Sequence, residues 1–244
     1  GHVLQFTYTL LMMVAWLWLS SAMGAKIPLS PRVILLLFGI GLVSVFATPI
    51  VYLAYDIGSV EHHRALTWLM RSGGGLAIGP LVAALLVALV RLKAASSHAR
   101  LLRSALLTSV LLFSVGGLIG FAIQGSNVKI PAHYHGCIVG VTLALMGITY
   151  HLLPALGMAA VPAKRARIQI NLYATGQLMH IIGLVWSGGY GVQRKVAGAA
   201  QVLRNPQEIA AMGVMGLGGL IAIIGGIMFV AIVVQAIVRA RKTS

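Results

Sequence analysis

The 244-residue chain is 59% hydrophobic and 9% charged, with a mean hydropathy of +0.96. A soluble domain of this size needs a larger charged surface, so a water-exposed globule is excluded. Three acids, Asp56, Glu61 and Glu208, stand against eighteen Lys and Arg, for a net charge of +15. In a soluble chain that balance points to nucleic acid. Here the bases fall in short loops between apolar runs, a pattern that membrane topology explains and nucleic-acid binding does not.

Crossing the hydrocarbon core takes about 20 apolar residues. The chain predicts seven such helices, over roughly 3–23, 33–55, 72–92, 104–123, 132–154, 168–189 and 209–237. The expectation is an all-α integral membrane protein, a bundle of about seven transmembrane helices forming a single transmembrane domain over residues 1–244. Lys26, Pro28, Pro31 and Arg32 mark one break, Ser96, Ser97 and His98 another, and Pro162 to Arg167 a third. Neither an internal repeat nor a low-complexity tract is visible. Cys137 is the single cysteine and forms no internal disulfide. The sequence begins with Gly1 and enters an apolar run at once, without the pattern of a cleavable signal peptide, so it is expected to start inside a larger protein.

Alternate loops carry twelve bases, among them Arg91, Lys93, Lys164 and Arg239, against six in the other set, among them Arg64, Arg71, Arg194 and Lys195. The richer set is expected on the cytoplasmic side of a bacterial or archaeal membrane. That leaves the C-terminus inside and residue 1 near the outer face.

Five histidines then fall at one depth. His2 opens the first span, His62 and His63 lie between the second and third, and His133 and His135 open the fifth. One histidine near hydrocarbon is more often a hydrogen-bonded packing residue, but five from three segments read as metal ligation, since neutral imidazole suits copper and iron. Residues two apart on a helix point about 200° from each other. His133 and His135 therefore face opposite sides and can each hold a different planar cofactor. His62 and His63 are adjacent near the start of a helix and can share one metal with His2, leaving a position open for a small gaseous substrate.

The ordered motifs resemble the C-terminal half of subunit I of the haem–copper oxidase superfamily, the last seven of its twelve helices. Gly1-His2 is similar to the start of the family's Gly-His-Pro-Glu-Val-Tyr motif, and Glu61-His62-His63 falls where its paired copper ligands occur. Val115 to Gly120 resembles its Gly-Gly-Leu-Thr-Gly helix, Ile130 to His135 its His-Phe-His segment, and Gly183 to Lys195 the later helix ending in Pro-Arg-Arg. The wording near His133 and at Gly183-Leu184-Val185-Trp186 is nearest to B-type oxidases or the related nitric oxide reductases. The resemblance implies that His2, His62 and His63 ligate the active-site copper, that His133 ligates the high-spin haem, and that His135 ligates the low-spin haem. The second ligand of that low-spin haem would lie in an N-terminal half outside this sequence. Arg194 and Lys195 would pair with haem propionates, although snorkelling at the interface is the plainer reading of both.

Two departures bear on the reaction. The family's tyrosine, four residues after the first copper ligand, is Phe6 here, which can supply neither an electron nor a proton. Tyr55 and Tyr52 on the second span are candidate replacements, and Tyr55, seven residues before His62, is within plausible reach. The family's proton-path lysine, about a turn beyond Pro80, is replaced by Ala83 and Ala84. Nitric oxide reductases need neither group. Their metal often gains a carboxylate, for which only Gln5, one turn from His2, and Glu61 are near.

The expectation is therefore an enzyme with two haems and one copper, or non-haem iron if it is a nitric oxide reductase. It would take electrons from a copper- or cytochrome-containing donor subunit to reduce O2, or alternatively NO, and would be active only with an N-terminal partner. A transporter would show polar midplane residues and often a repeat. A non-catalytic haem-binding subunit would leave His2, His62 and His63 without a role. His98 is expected to be solvated and His151 interfacial, while His180 is read either as packing or as part of a proton route or haem pocket.

Overall fold

The computed structural model describes residues 2–92, 96–196, 202–203 and 205–242, with the side chains of residues 2 and 3 outside the description. Gly1, Lys93, Arg204 and the imidazole of His2 thus lie outside the described residues. Among those described, the chain is helical, with no strand beyond an isolated bridge between Asn127 and Gln193. Two compact units divide it, Gly1–Lys93 and Ala94–Ser244.

The first unit opens with α1 (His2–Ala22), whose inward face buries Phe6, Met12, Met13, Trp16 and Leu19. Helix α2 (Pro31–Phe46) starts where Ser30 accepts a hydrogen bond from the Val33 amide. The predicted second span is broken at Ala47, with α3 (Thr48–Ala54) following; Pro49, in its first turn, has no N–H to continue the ladder. Together α2 and α3 still make an apolar stretch of 24 residues.

The third span starts earlier than its hydropathy predicts. Ser59 caps α4 (Val60–Leu69) by accepting from the His62 amide, and Glu61 in the first turn suits the positive end of the helix dipole. A π-helical turn, Met70–Gly74, carries α4 into α5 (Gly75–Arg91). His62 and His63 thus stand in the first turn of one long helical run, and the π turn buries Gly73 where a side chain would collide with Ser44.

In the second unit, α6 (Ser97–Phe121) and α7 (Lys129–Leu152) pair along their lengths, as do α8 (Ala163–Gly189) and α9 (Pro206–Arg241), while α8 also packs on α6 and α7. At 36 residues, α9 outlasts its predicted span because Asn205 caps it before Pro206 and it continues through Arg239 to Arg241. Glycines permit both pairings. A Cβ at Gly116 would stand 2.6 Å from the Cys137 nitrogen, and Gly136 faces Gly116 from the other side. Gly176 and Gly183 meet the α9 backbone at Ala222 and Met215.

Among the described residues, six helical stretches are long and apolar enough to cross a membrane, and α8 is not one of them. At 27 residues it is long enough, about 40 Å. Its hydropathy is lowered by polar residues that bond to neighbouring helices. Gln169 is fully buried; its oxygen accepts from Tyr150 on α7 at 2.9 Å and its amide donates to the Gly225 carbonyl on α9 at 3.0 Å. Asn171 accepts from Ser104 on α6. A polar helix surrounded by apolar ones is what interhelical hydrogen bonding in a bilayer produces.

Replacing Gly116 with Leu is expected to cost roughly 1–3 kcal/mol by overpacking the α6–α7 contact. Gly117→Ala, at a position with nothing within 4 Å of the new methyl, should be close to neutral. Thermal unfolding of both variants in detergent checks the contrast.

Candidate metal and cofactor site

Helix α7 presents His133 and His135 to different neighbours. The His133 ring turns to α6, where its Nδ1 lies 2.7 Å from the Gly116 carbonyl. A carbonyl can only accept, so Nδ1 carries the proton and Nε2 keeps its lone pair. The missing side chain of Gly120 makes room for this, since a Cβ there would come within 2.8 Å of the ring. Gly116 and Gly120, one helical turn apart, form a slot that holds one imidazole in one tautomer. Metal-binding histidines usually have this arrangement, with the second nitrogen tied to a carbonyl.

The His135 ring turns instead toward α8 and α9. It meets His180 with ring centroids 4.8 Å apart at 61°, and Tyr134 stacks on it at 5.3 Å. The two histidines line an open cleft of about 350 Å³ whose wall includes Tyr173 and Gln177, two turns and one turn before His180. Gly219 and Gly226 of α9 lower its floor; nothing stands within 4 Å of a Cβ built at Gly226. A flat ring can lie against such a floor.

In the first unit, His62 is only 4% exposed, and its Nδ1 is buried without a hydrogen-bond partner. An orphaned buried nitrogen costs roughly 1–3 kcal/mol, and in native proteins it calls for a reason such as a bound ion. The Tyr52 and His62 rings meet nearly at right angles, with centroids 4.6 Å apart. His63 is exposed. Its Nδ1 donates to the Ser59 carbonyl at 2.8 Å, which leaves Nε2 for a ligand, and it lines a separate open cleft with Arg64, Thr67, Trp68 and Arg71. The two rings lie 6.0 Å apart. Among the described residues, no three His, Cys, Asp or Glu side chains converge as a metal site, and the His2 imidazole lies outside them.

The remaining candidates fall as follows. Tyr55 caps the end of α3 in extended backbone and is exposed, so the tyrosine set against His62 is Tyr52, still inside the helix. Gln5 is exposed on α1, whereas its neighbour Phe6 is buried at 5% exposure beside Gly73. Arg194 bonds to Ser126 at 3.4 Å, and the Val128 amide donates to the Val192 carbonyl, so the loop after α8 is fastened beside the start of α7. Lys195 follows with φ +61°, a left-handed conformation that tightens this turn. At the other ends of α6 and α7, His98 is exposed, and its Nε2 lies 3.2 Å from the Nδ1 of His151. Neither this pair nor the meeting of His135 with His180 has a local sequence signal, because each joins residues on different helices.

Within each unit separately, single imidazoles could hold a metal ion or a haem iron: His133 and His135 in the second, His62 in the first. His133 offers a bare Nε2 in a fixed tautomer, His135 opens onto a cleft with a glycine floor, and His62 buries an unpaired nitrogen. No family model matches the chain. Over 267 aligned positions it is 31% identical to an uncharacterized protein of Rickettsia prowazekii (strain Madrid E), covering 94% of this chain and 52% of that protein. A shorter match, 31% over 83 positions, to an uncharacterized protein of Aquifex aeolicus (strain VF5) covers 34% of this chain and 22% of the other. The chain thus spans about half the length of the first relative and about a fifth of the second.

His62→Phe should stabilise the metal-free protein or leave it unchanged, because it removes an unsatisfied buried nitrogen while filling similar space. If His62 is a metal ligand, the same substitution should also abolish copper retention. Melting temperature and metal content, measured on one preparation, check both halves.

Proposed function

We propose that the chain is the catalytic fragment of a haem–copper terminal respiratory oxidase that accepts electrons from a cytochrome c-like donor and reduces O2 to water. The observation that carries the reading is helix α7. It turns two imidazoles to opposite sides, one locked in a ligating tautomer by the Gly116 carbonyl and the other set in a cleft. On this reading His133 holds the high-spin haem, His135 the low-spin haem, and His62 and His63 hold copper together with His2. When bound, these groups supply electron transfer and the metal centre at which the gas is reduced. The protein's own part is to orient the imidazoles, with Arg194 and Lys195 near the haem propionates. An N-terminal half of the fold, supplied by the same chain or by another, completes the low-spin site.

Reduction of NO is the second reading, and buried Phe6 favours it, since no hydroxyl stands at that position. Tyr52 against His62 favours O2, because it offers a phenol beside a proposed copper ligand. Turnover of the complete membrane complex with each gas separates the two. O2 consumption that falls at least tenfold in Tyr52→Phe supports the oxidase. NO consumption with negligible O2 consumption transfers the assignment to the reductase. Metal analysis should give two haems and one copper per complex; haem with neither copper nor non-haem iron would sink both readings in favour of a non-catalytic haem subunit. His133→Ala should remove the high-spin haem signal while the protein remains in the membrane.

A further inference from the structure

We propose that the cleft along the first turns of α4 is a binding site for the phosphate of an anionic membrane phospholipid, held between the guanidinium groups of Arg64 and Arg71. The site is independent of haem and copper.

Its depth follows from helix length. The continuous helical stretch Val60–Arg91 has 32 residues, about 48 Å, whereas a hydrocarbon core is about 30 Å thick. Residues 72–90 carry no charge, and Arg71 and Arg91 stand about 30 Å apart along the axis. The hydrocarbon therefore fits between these two arginines. The residues from Val60 to Arg71 are left in the headgroup layer and the water beyond it.

The side chains of this segment divide around the helix. His62 and Leu66 are buried, while Val60, His63, Arg64, Thr67, Trp68 and Arg71 line an open cleft of about 530 Å³. Their spacing is that of one helix face. At 100° per residue, Arg64 and Arg71 differ by only about 20° in direction and by about 10 Å along the axis. Two long side chains so placed can converge on one group between them. Thr67 occupies the intervening position. It is short, and its hydroxyl donates back to the His63 carbonyl at 2.8 Å, so it leaves that space open. Two guanidinium forks suit the non-bridging oxygens of one phosphate.

Charge and apolar surface are ordered along the same axis. Among the described residues, no carboxylate lines the cleft; Asp56 and Glu61 both precede Arg64 and stand on its water side. Next come the two arginines, and then the apolar run. Trp68, 67% exposed, lies beside the arginines. An indole favours this boundary and can lie along the glycerol and first acyl carbons of a lipid. A free anion has no use for that apolar wall, and an acidic protein segment does not require arginines at the level where hydrocarbon ends. Plain snorkelling would make the pair equivalent to Arg91 at the opposite end of the span.

The complete membrane complex, delipidated and returned to phosphatidylcholine bilayers containing a small fraction of phosphatidylglycerol, tests the site, with retained lipid counted by native mass spectrometry. Phosphatidylglycerol should be retained in preference to phosphatidylcholine. The double variant Arg64→Gln/Arg71→Gln should weaken that retention by about tenfold or more, as two charge-assisted contacts are lost. Arg91→Gln should leave it unchanged. If the double variant does not assemble, Arg64→Gln alone takes its place, with roughly a threefold loss expected. Equal retention of the two lipids, unchanged retention in the Arg64 and Arg71 variants, or an equal loss in Arg91→Gln overturns the proposal in favour of snorkelling. Displacement of the lipid by inorganic phosphate would assign the cleft to a free anion. Crosslinking of a photoreactive side chain in place of Trp68 to protein rather than lipid would assign this face to a protein partner. Either result also overturns the proposal.

Discussion

The close approach of helix backbones at glycine is the constraint on which the second unit depends. In lipid, apolar side chains gain little by leaving one apolar neighbour for another, so helices associate through dispersion contacts and interhelical hydrogen bonds. Gly116 against Gly136, and Gly176 and Gly183 against α9, bring main chains within reach of each other. Once they are that close, short polar bonds form between helices, such as Ser109 donating to the Gly140 carbonyl and Gln169 bridging Tyr150 and Gly225. Gln169, Asn171 and His180 of α8 each find a partner on an adjacent helix, which lets polar residues stand in a membrane helix.

The same contacts set the chemistry of the histidines. Gly116 does two things at once: its missing side chain admits α7, and its carbonyl accepts the hydrogen bond of the His133 Nδ1–H. Gly218 admits α8 to α9, and the nearby Met215 carbonyl accepts the hydrogen bond of the His180 Nδ1–H. Helix carbonyls are normally occupied by the amide four residues on, yet a second lone pair remains available to a side chain that comes close enough. Tautomer choice at both sites therefore follows from interhelical distance. A methyl group at Gly116 would separate the helices and displace the acceptor of His133 with one change.

The first unit is organised differently. It is held by the large apolar side chains of α1, Trp16 and the methionines among them, and by the break at Ala47 and the π turn at Met70–Gly74. Deviations from a straight helix occur on the stretches that carry Tyr52 and His62. π turns are frequent at functional sites because the extra residue redirects side chains without ending the helix. The cost of an unpaired His62 nitrogen sits in the same region. A ligand that used it would repay that cost.

Much of the plan was legible from the residues themselves. Apolar length located the helices but set the starts of the third and fourth well inside the helical runs that begin at Val60 and Ser97, and the i, i+2 spacing of His133 and His135 placed them on opposite sides, because 3.6 residues per turn is a property of the local chain. Ser59, Ser96 and Asn205 cap three helices that begin before the starts set by the apolar pattern. The composition of α8 was harder to interpret, since a polar helix reads alike whether it faces water or its neighbours. What stands across from each side chain was decided only by tertiary structure. Tyr52 rather than Tyr55 meets His62 because α3 ends at Ala54, and His180 meets His135 because glycines let α9 press α8 toward α7. Periodicity along one helix is set by neighbouring residues, whereas the partner on the next helix depends on packing between segments tens of residues apart.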